Sequence, residues 1–319
     1  MHIRRLLIAF TILLVAGAAP AAEYPARPIR MVVPFTAGSA SDLLARMIGP
    51  KLLDAWGQQV VVDNRPSAGG TVAGGMVASS APDGHTLMLT SSAFAGSAAL
   101  YDKLPYDSVK DFQGVTLIAQ TAVMLIVSPT LGVKSTADLI ALAKQKPGGL
   151  NFGSSGIGSG THYTGEFFNL SAGIKAVHVP YKGTPEAITD VVSGRMNYAF
   201  SPLLAAMPQV RAGRLIPLGV TSPQRLPIAP EIPAIGEALP GWEYQGWFGV
   251  LAPSRVPRPV VNKLSGEIGR ILELQEIRDR VGRDGSIAKR STPEEFDKLV
   301  RDEIVTRKKV FKAAGVKPE

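Results

Sequence analysis

The sequence predicts an α/β protein of two lobes, each a mostly parallel sheet flanked by helices. Three observations carry the prediction. Short apolar runs alternate with helix-period segments, the rhythm of βαβ units whose parallel strands are covered on both faces. The rhythm starts afresh near Ser135, and a chain of 319 residues is long for one core. Two small-residue loops, Thr36–Asp42 and Ser154–His162, recur between a strand and a helix in both halves.

The elements follow in order. The opening "MHIRRLLIAFTILLVAGAAPAA" sets Arg4 and Arg5 before an apolar core, Leu6 to Val15, and a small-residue tail. That is the layout of a secretory signal peptide (1–22), cleaved after Ala21 or Ala22. The core is shorter than the ~20 apolar residues that span a bilayer. A periplasmic address follows as an expectation. "IRMVVPF", "QQVVVDN" and "HTLMLTSS" read as buried strands, with helix-period "DLLARMIGPKLLDAWG" and "TVAGGMVASSA" between them. Ser135 and Asp138 cap the next helix. "LNFGSSG", "KAVHVPYKG", "MNYAFSP" and "LIPLGVTS" are strands, and "GTHYTGEFFNLSAG" is a helix. Thr184 is the expected N-cap of a further helix, with Pro185 at its first position and Gly194 as its stop. A Pro-rich crossover follows Thr221. "RPVVNKLSGEIGRILELQEIRDRVGRDG" is expected as one helix, and Thr292 with Glu295 opens the last through a capping box.

Composition narrows the chemistry. There is no cysteine, which excludes disulfides, thiolate metal sites and a Cys nucleophile. The net charge of +8 suits a solvated basic surface and mild steering of small anions. Basic residues gather in "RKKVFK" on the last helix, without interleaved aromatics, so nucleic acid is disfavoured as a partner. No Lys follows either Gly/Ser loop, as a P-loop needs, and Thr161 stands where a dinucleotide fingerprint needs Gly. The scattered His85, His162 and His178 form no metal motif, and no cofactor is expected. Ser155 or Ser159 with His162 sets up an alternative, an exported serine hydrolase. Ile157 breaks the Gly-x-Ser-x-Gly pattern around Ser155.

The loops themselves suit an anion. Free N–H groups at helix N-termini point at whatever sits there, and ligands of open α/β sheets bind beyond the strands' carboxyl ends. Four junctions qualify: Thr36–Asp42, Ser91–Ser97, Ser154–His162 and Ser201–Pro202. Lys182, just after a strand, either neutralises a ligand carboxylate or is an exposed turn lysine. Asp42 faces the dipole of its own helix.

An ordered set of segments now stands out: "YPARPIRMVVPFTAGSASDLLAR", "VVDNRPSAGGTVAGGMVASSAPDGHTLML", "FGSSGIGSGTHYTGEFF", "VPYKGTPEAITDVVSGRMNYAF", "RAGRLIPLGVTS" and "WFGVLAPSRVPRPVVNKL". In them the chain resembles the solute receptors of tripartite tricarboxylate transporters, the Bug receptors. The resemblance implies a two-lobed Venus-flytrap fold of the periplasmic-binding-protein type, and a non-enzymatic receptor. It would close on a small organic anion, a mono- or dicarboxylate with aromatic ones included, and pass it to membrane transporter subunits. It also implies the ligand contacts. Phe35, Thr36, Ala37, Gly38, Ser39, Ala40 and Asp42 form one side. Ser154, Ser155, Gly158, Ser159, Gly160, Thr161 and His162 form the other. Ser91, Ser92 and Ser201 lie at the far end. Ser39 and Ser201 depart from the Gly and Asp usual there; without that Asp, an amino-acid ligand is disfavoured. One lobe is expected from 23–123 and 246–319 and the other from 124–245, with hinges at Ala122–Met124 and Gln245–Trp247, in a monomer.

Overall fold

A computed structural model of the chain describes residues 24–67, 70–283 and 285–316. The expected signal peptide lies outside the described residues. The first sheet gathers β1 (Ile29–Val33), β2 (Val60–Asn64), β3 (Thr86–Ser91), β4 (Phe112–Thr121), β10 (Gly246–Pro253) and β11 (Ser286–Ala288). Its order is β11-β4-β10-β3-β1-β2. The second sheet holds β5 (Val123–Val127), β6 (Leu150–Ser154), β7 (Ala176–Pro180), β8 (Tyr198–Pro202) and β9 (Ile216–Val220) in the order β7-β6-β8-β5-β9. This is the expected two-lobed α/β fold.

Strand direction follows from the way the chain crosses between the sheets. β1 pairs in parallel with β2 and β3, whereas β10 runs antiparallel to β3 and β4. β6 pairs in parallel with β7 and β8, whereas β5 runs antiparallel to β8 and β9. Of the reversed strands, β5 and β10 are entered from the other sheet, whereas β11, also antiparallel to β4, is not. The chain leaves β4 at Thr121 and begins β5 at Val123; it leaves β9 at Val220 and returns at Gly246. A strand entered from the cleft runs away from it, opposite to strands that end there.

Helices cover both faces of each sheet. On the first sheet, α1 (Ala40–Trp56) and α8 (Arg258–Leu272) bury Leu44, Ile48, Leu264 and Ile268 against Ile29 and Met31. α2 (Thr71–Ala78) and α3 (Ala93–Leu100) cover the other face with Val77 and Phe94. On the second, α4 (Thr136–Gln145) and α5 (Gly160–Ala172) pack Leu139 and Phe168 on Phe152. α6 (Thr184–Val192) and α7 (Leu203–Arg211) pack Ile188 and Ala206 on Met124.

Three expectations need correction. The N-cap of α6 is Gly183, and Thr184 is already helical. The tail segment is two helices, α8 and α9 (Gln275–Gly282), broken at Leu274, whose backbone is extended. A continuous helix would carry the stripe Leu264–Ile268–Ile271 on to Gln275 and Arg278; the break returns Ile277 and Val281 to the core. The basic run on α10 (Pro293–Ala313) is not a wholly solvated face, because Arg307 is fully buried.

Arg307 ties the two lobes. Its Nε donates to Glu303 one turn earlier at 2.8 Å, and its Nη2 donates to the Tyr244 hydroxyl at 2.6 Å. The guanidinium lies 4.1 Å from the ring centroid of Tyr163 on α5. Trp247 donates its indole N–H to the same Glu303. Pairing and stacking offset part of the desolvation of this buried charge.

Candidate functional site

The loops before α1 and α5 share one backbone design. Gly38 and Gly158 take left-handed φ of 83° and 75°, which a Cβ would strain. The next residue is the N-cap in both: Ser39 accepts the Asp42 N–H at 3.3 Å, and Ser159 accepts the His162 N–H at 3.1 Å. Each glycine N–H then bonds a side chain in the first helical turn, Gly38 to Asp42 Oδ2 at 2.9 Å and Gly158 to His162 Nδ1 at 3.1 Å. A serine cap and a polar residue three positions on thus organise both loops.

Asp42 and His162 are both buried. Burial pushes the Asp42 carboxyl up, but hydrogen bonds from Arg46 and the Gly38 N–H more than offset it and hold the group below the ordinary range. The Nδ1 of His162 accepts an N–H, so the neutral ring carries its proton on Nε2, 3.6 Å from a Glu166 carboxylate oxygen. Its ring stacks on His178 at a centroid distance of 3.8 Å. Burial, and then the neighbouring His162, push His178 down to about 3.

His162, Glu166 and His178 bring donor atoms within 4.8 Å of one another. They do not suit a metal in this arrangement. The imidazoles are within 11° of parallel, so their in-plane lone pairs do not converge, and His162 Nδ1 is engaged. The hydrolase geometry is equally poor. Ser155 and Ser159 Oγ both sit on Thr161 Oγ1, at 3.0 and 3.1 Å, while the lone pair of His162 serves Gly158. Ser154 does meet a histidine, His178 Nε2 at 2.7 Å, but a ring held neutral so far into acid is a weak base.

The second loop borders a half-open cavity of about 210 Å³ against the first sheet. Ile157, Gly158 and Ser159 form one wall; Pro34, Phe35, Met88 and Thr90 come from the strand ends opposite. Gly70 and Ala93 bring the N-termini of α2 and α3 to it, and Ser159 brings that of α5. Three helix amino ends therefore meet at one cavity, a setting that favours an anion.

The candidates from the sequence divide. Phe35, Gly158 and Ser159 line this cavity. Thr36, Ala37, Gly38 and Ala40 are exposed and do not line it, and Ser39 and Asp42 cap α1 instead. Ser154, Ser155, Gly160, Thr161 and His162 form the frame of the second loop. Ser91 accepts the Ala93 N–H at the start of α3, and Ser92 bonds Tyr244. Ser201 is fully buried and donates to its neighbour Pro202, and Lys182 is exposed. Met88 and Tyr101 lie outside the four junctions, and Phe94, Ser97 and Ile157 lie within them without having been named as ligand contacts; all five line the cavity. The runs around Phe94 and Ser97 are short and uniformly small or apolar, so nothing in their pattern marks a wall.

A family model described as "Tripartite tricarboxylate transporter family receptor" matches residues 44–316. The chain belongs to this receptor family. Protein BugT of Bordetella pertussis is 32% identical over 324 residues, covering 99% of both chains. A protein encoded in the tcbD–tcbE intergenic region of Pseudomonas sp. strain P51 is 36% identical over 88% of this chain and 84% of its own. Among solved structures, R. palustris Rpa4515 with adipate superposes with a TM-score of 0.78 at 34% identity, over 93% of this chain and 100% of that one. MatC from Rhodopseudomonas palustris with bound malate gives 0.74 at 30%, over 90% and 99%. The receptor family's two-lobed fold is the one described above, and the cavity lies between its lobes.

Proposed function

We propose that this chain is an exported solute receptor that closes its two lobes on a small organic carboxylate and delivers it, as a monomer, to membrane transporter subunits. The observation that carries the proposal is the convergence of the α2, α3 and α5 amino ends on one interlobe cavity. Helix N-termini stabilise a carboxylate without any titratable partner. The adipate and malate held by the two solved relatives support the same ligand chemistry. One lobe comprises 23–123 with 246–319 and the other 124–245. Closure turns about Ala122–Met124 and Gln245–Trp247, where the chain passes between the sheets. The liganded closed state is favoured by contacts made only when both lobes touch the anion.

Thermal unfolding with a panel of mono-, di- and tricarboxylates tests this. A ligand at a hundred times its dissociation constant adds about 2.7 kcal/mol, a rise in Tm of about 5 °C for a chain of this size. A panel without any shift at millimolar concentration rejects the proposal. Native mass spectrometry of the purified protein supplies an independent readout, a retained ligand.

A further inference from the structure

We infer that the preferred ligand is a monocarboxylate with an apolar body about the size of one ring, rather than a di- or tricarboxylate. The inference rests on the carboxylate-receptor reading above and narrows it.

The walls are the first ground. Phe35, Met88, Phe94, Tyr101 and Ile157 surround the space with aromatic and aliphatic surface. Such surface favours an apolar body by about 25 cal/mol per Å² removed from water. A small hydrophilic acid such as malate has little to offer it.

Charge is the second ground. Among the described residues, no Lys, Arg or His side chain lines the cavity. Lys182 is exposed and lines none of it. Three of the five lining hydroxyls (Ser67, Thr90, Ser97, Tyr101 and Ser159) already bond the chain's own backbone. Ser67 accepts the Val72 N–H, Ser97 donates to the Ala93 carbonyl, and Ser159 accepts the His162 N–H. Ser201 spends its hydroxyl on Pro202. The Arg307 guanidinium behind Gly96 is paired with Glu303, so the positive potential at the lining comes mainly from the helix amino ends, each worth roughly half a unit charge. Three such ends sum to about one and a half charges, enough for one carboxylate and short of two. A second carboxylate would lose its hydration with no cation to meet it, which is costly in a largely apolar enclosure.

Size is the third ground. A dry apolar cavity of about 150 Å³ accepts benzene; the 210 Å³ here leaves room for a ring and one carboxyl group.

The test is calorimetric titration of the full exported chain with benzoate, hexanoate, adipate, malate and citrate, with benzyl alcohol as the uncharged control. Benzoate or hexanoate is expected to bind at least tenfold more tightly than any of the three polyacids and than benzyl alcohol. Adipate, malate or citrate binding as tightly as the best monoacid overturns the inference but leaves the receptor reading standing. Binding by none of the acids overturns both. Ile157→Lys adds one cation to the wall at a half-exposed position, where the fold tolerates it. The variant is expected to shift the adipate-to-benzoate affinity ratio at least tenfold toward adipate. An unchanged ratio rejects this cavity as the ligand site.

Discussion

Gly96 of α3 and Gly158 of the loop before α5 meet across the cleft with no room for a side chain. A Cβ on Gly96 would stand 2.7 Å from the Gly158 carbonyl oxygen. The helix of one lobe thus rests on the backbone of the other, and the Nη1 of Arg307 lies behind the same point. Gly96→Ala is expected to hold the lobes apart and weaken ligand binding at least tenfold. Thermal stability should hardly fall, since Ala is better than Gly in a helix by up to about 1 kcal/mol. Calorimetry with the ligand, together with small-angle scattering of the liganded protein, reads both effects. Unaltered affinity would show that this contact does not limit closure.

Arg307 is predicted to be structural and expensive to remove. Arg307→Met leaves the Glu303 carboxylate largely buried without its partner, a loss of about 3–5 kcal/mol. The double variant Glu303→Gln with Arg307→Met should recover much of that loss, because the uncompensated charge goes too. Urea unfolding of the three proteins decides it, and a double variant no better than the single one argues against a buried pair.

The two serine caps should separate in their effects. Ser39→Ala and Ser159→Ala each remove a cap worth about 1 kcal/mol. Only Ser159 also lines the cavity, so only its replacement is expected to weaken the ligand. Equal loss of affinity in both variants would place the ligand against the first loop instead.

His178 predicts an acid limb. Burial, then His162, lower its folded-state value from 6.5 to about 3, so the unfolded chain binds the extra proton between those values. Stability therefore rises with pH through that window and levels off above about 6.5. His178→Gln should flatten this limb when unfolding free energy is measured across the window. A limb of the same slope in the variant assigns the acid sensitivity to other groups.

Much of the fold was legible because it rests on local signals. The capping boxes and serine caps named their helices, and Thr292 and Glu295 exchange both expected hydrogen bonds, at 3.2 and 2.9 Å. The buried runs around Val32, Leu87 and Phe152 became strands. Other elements carry weaker signals. α3 is built from Ala, Gly and Ser with single Phe and Leu residues, so no face of it reads as apolar. β4, β5 and β10 acquire their pairing only because the chain crosses between sheets, a long-range relation that no short window contains.

Read alone, the residues specified the α/β class, the two small-residue loops and the likeness to the receptor family. Each is read from segments whose own residues are near neighbours in the chain. Tertiary structure decided the rest. It drew Arg307 out of a basic run into the interior, because Tyr163, Tyr244 and Glu303 from separate segments surround it. It also built the cavity from Phe35, Phe94, Tyr101 and Ile157. A cavity is the space left when distant segments pack, so its walls are written in contacts rather than in any one motif.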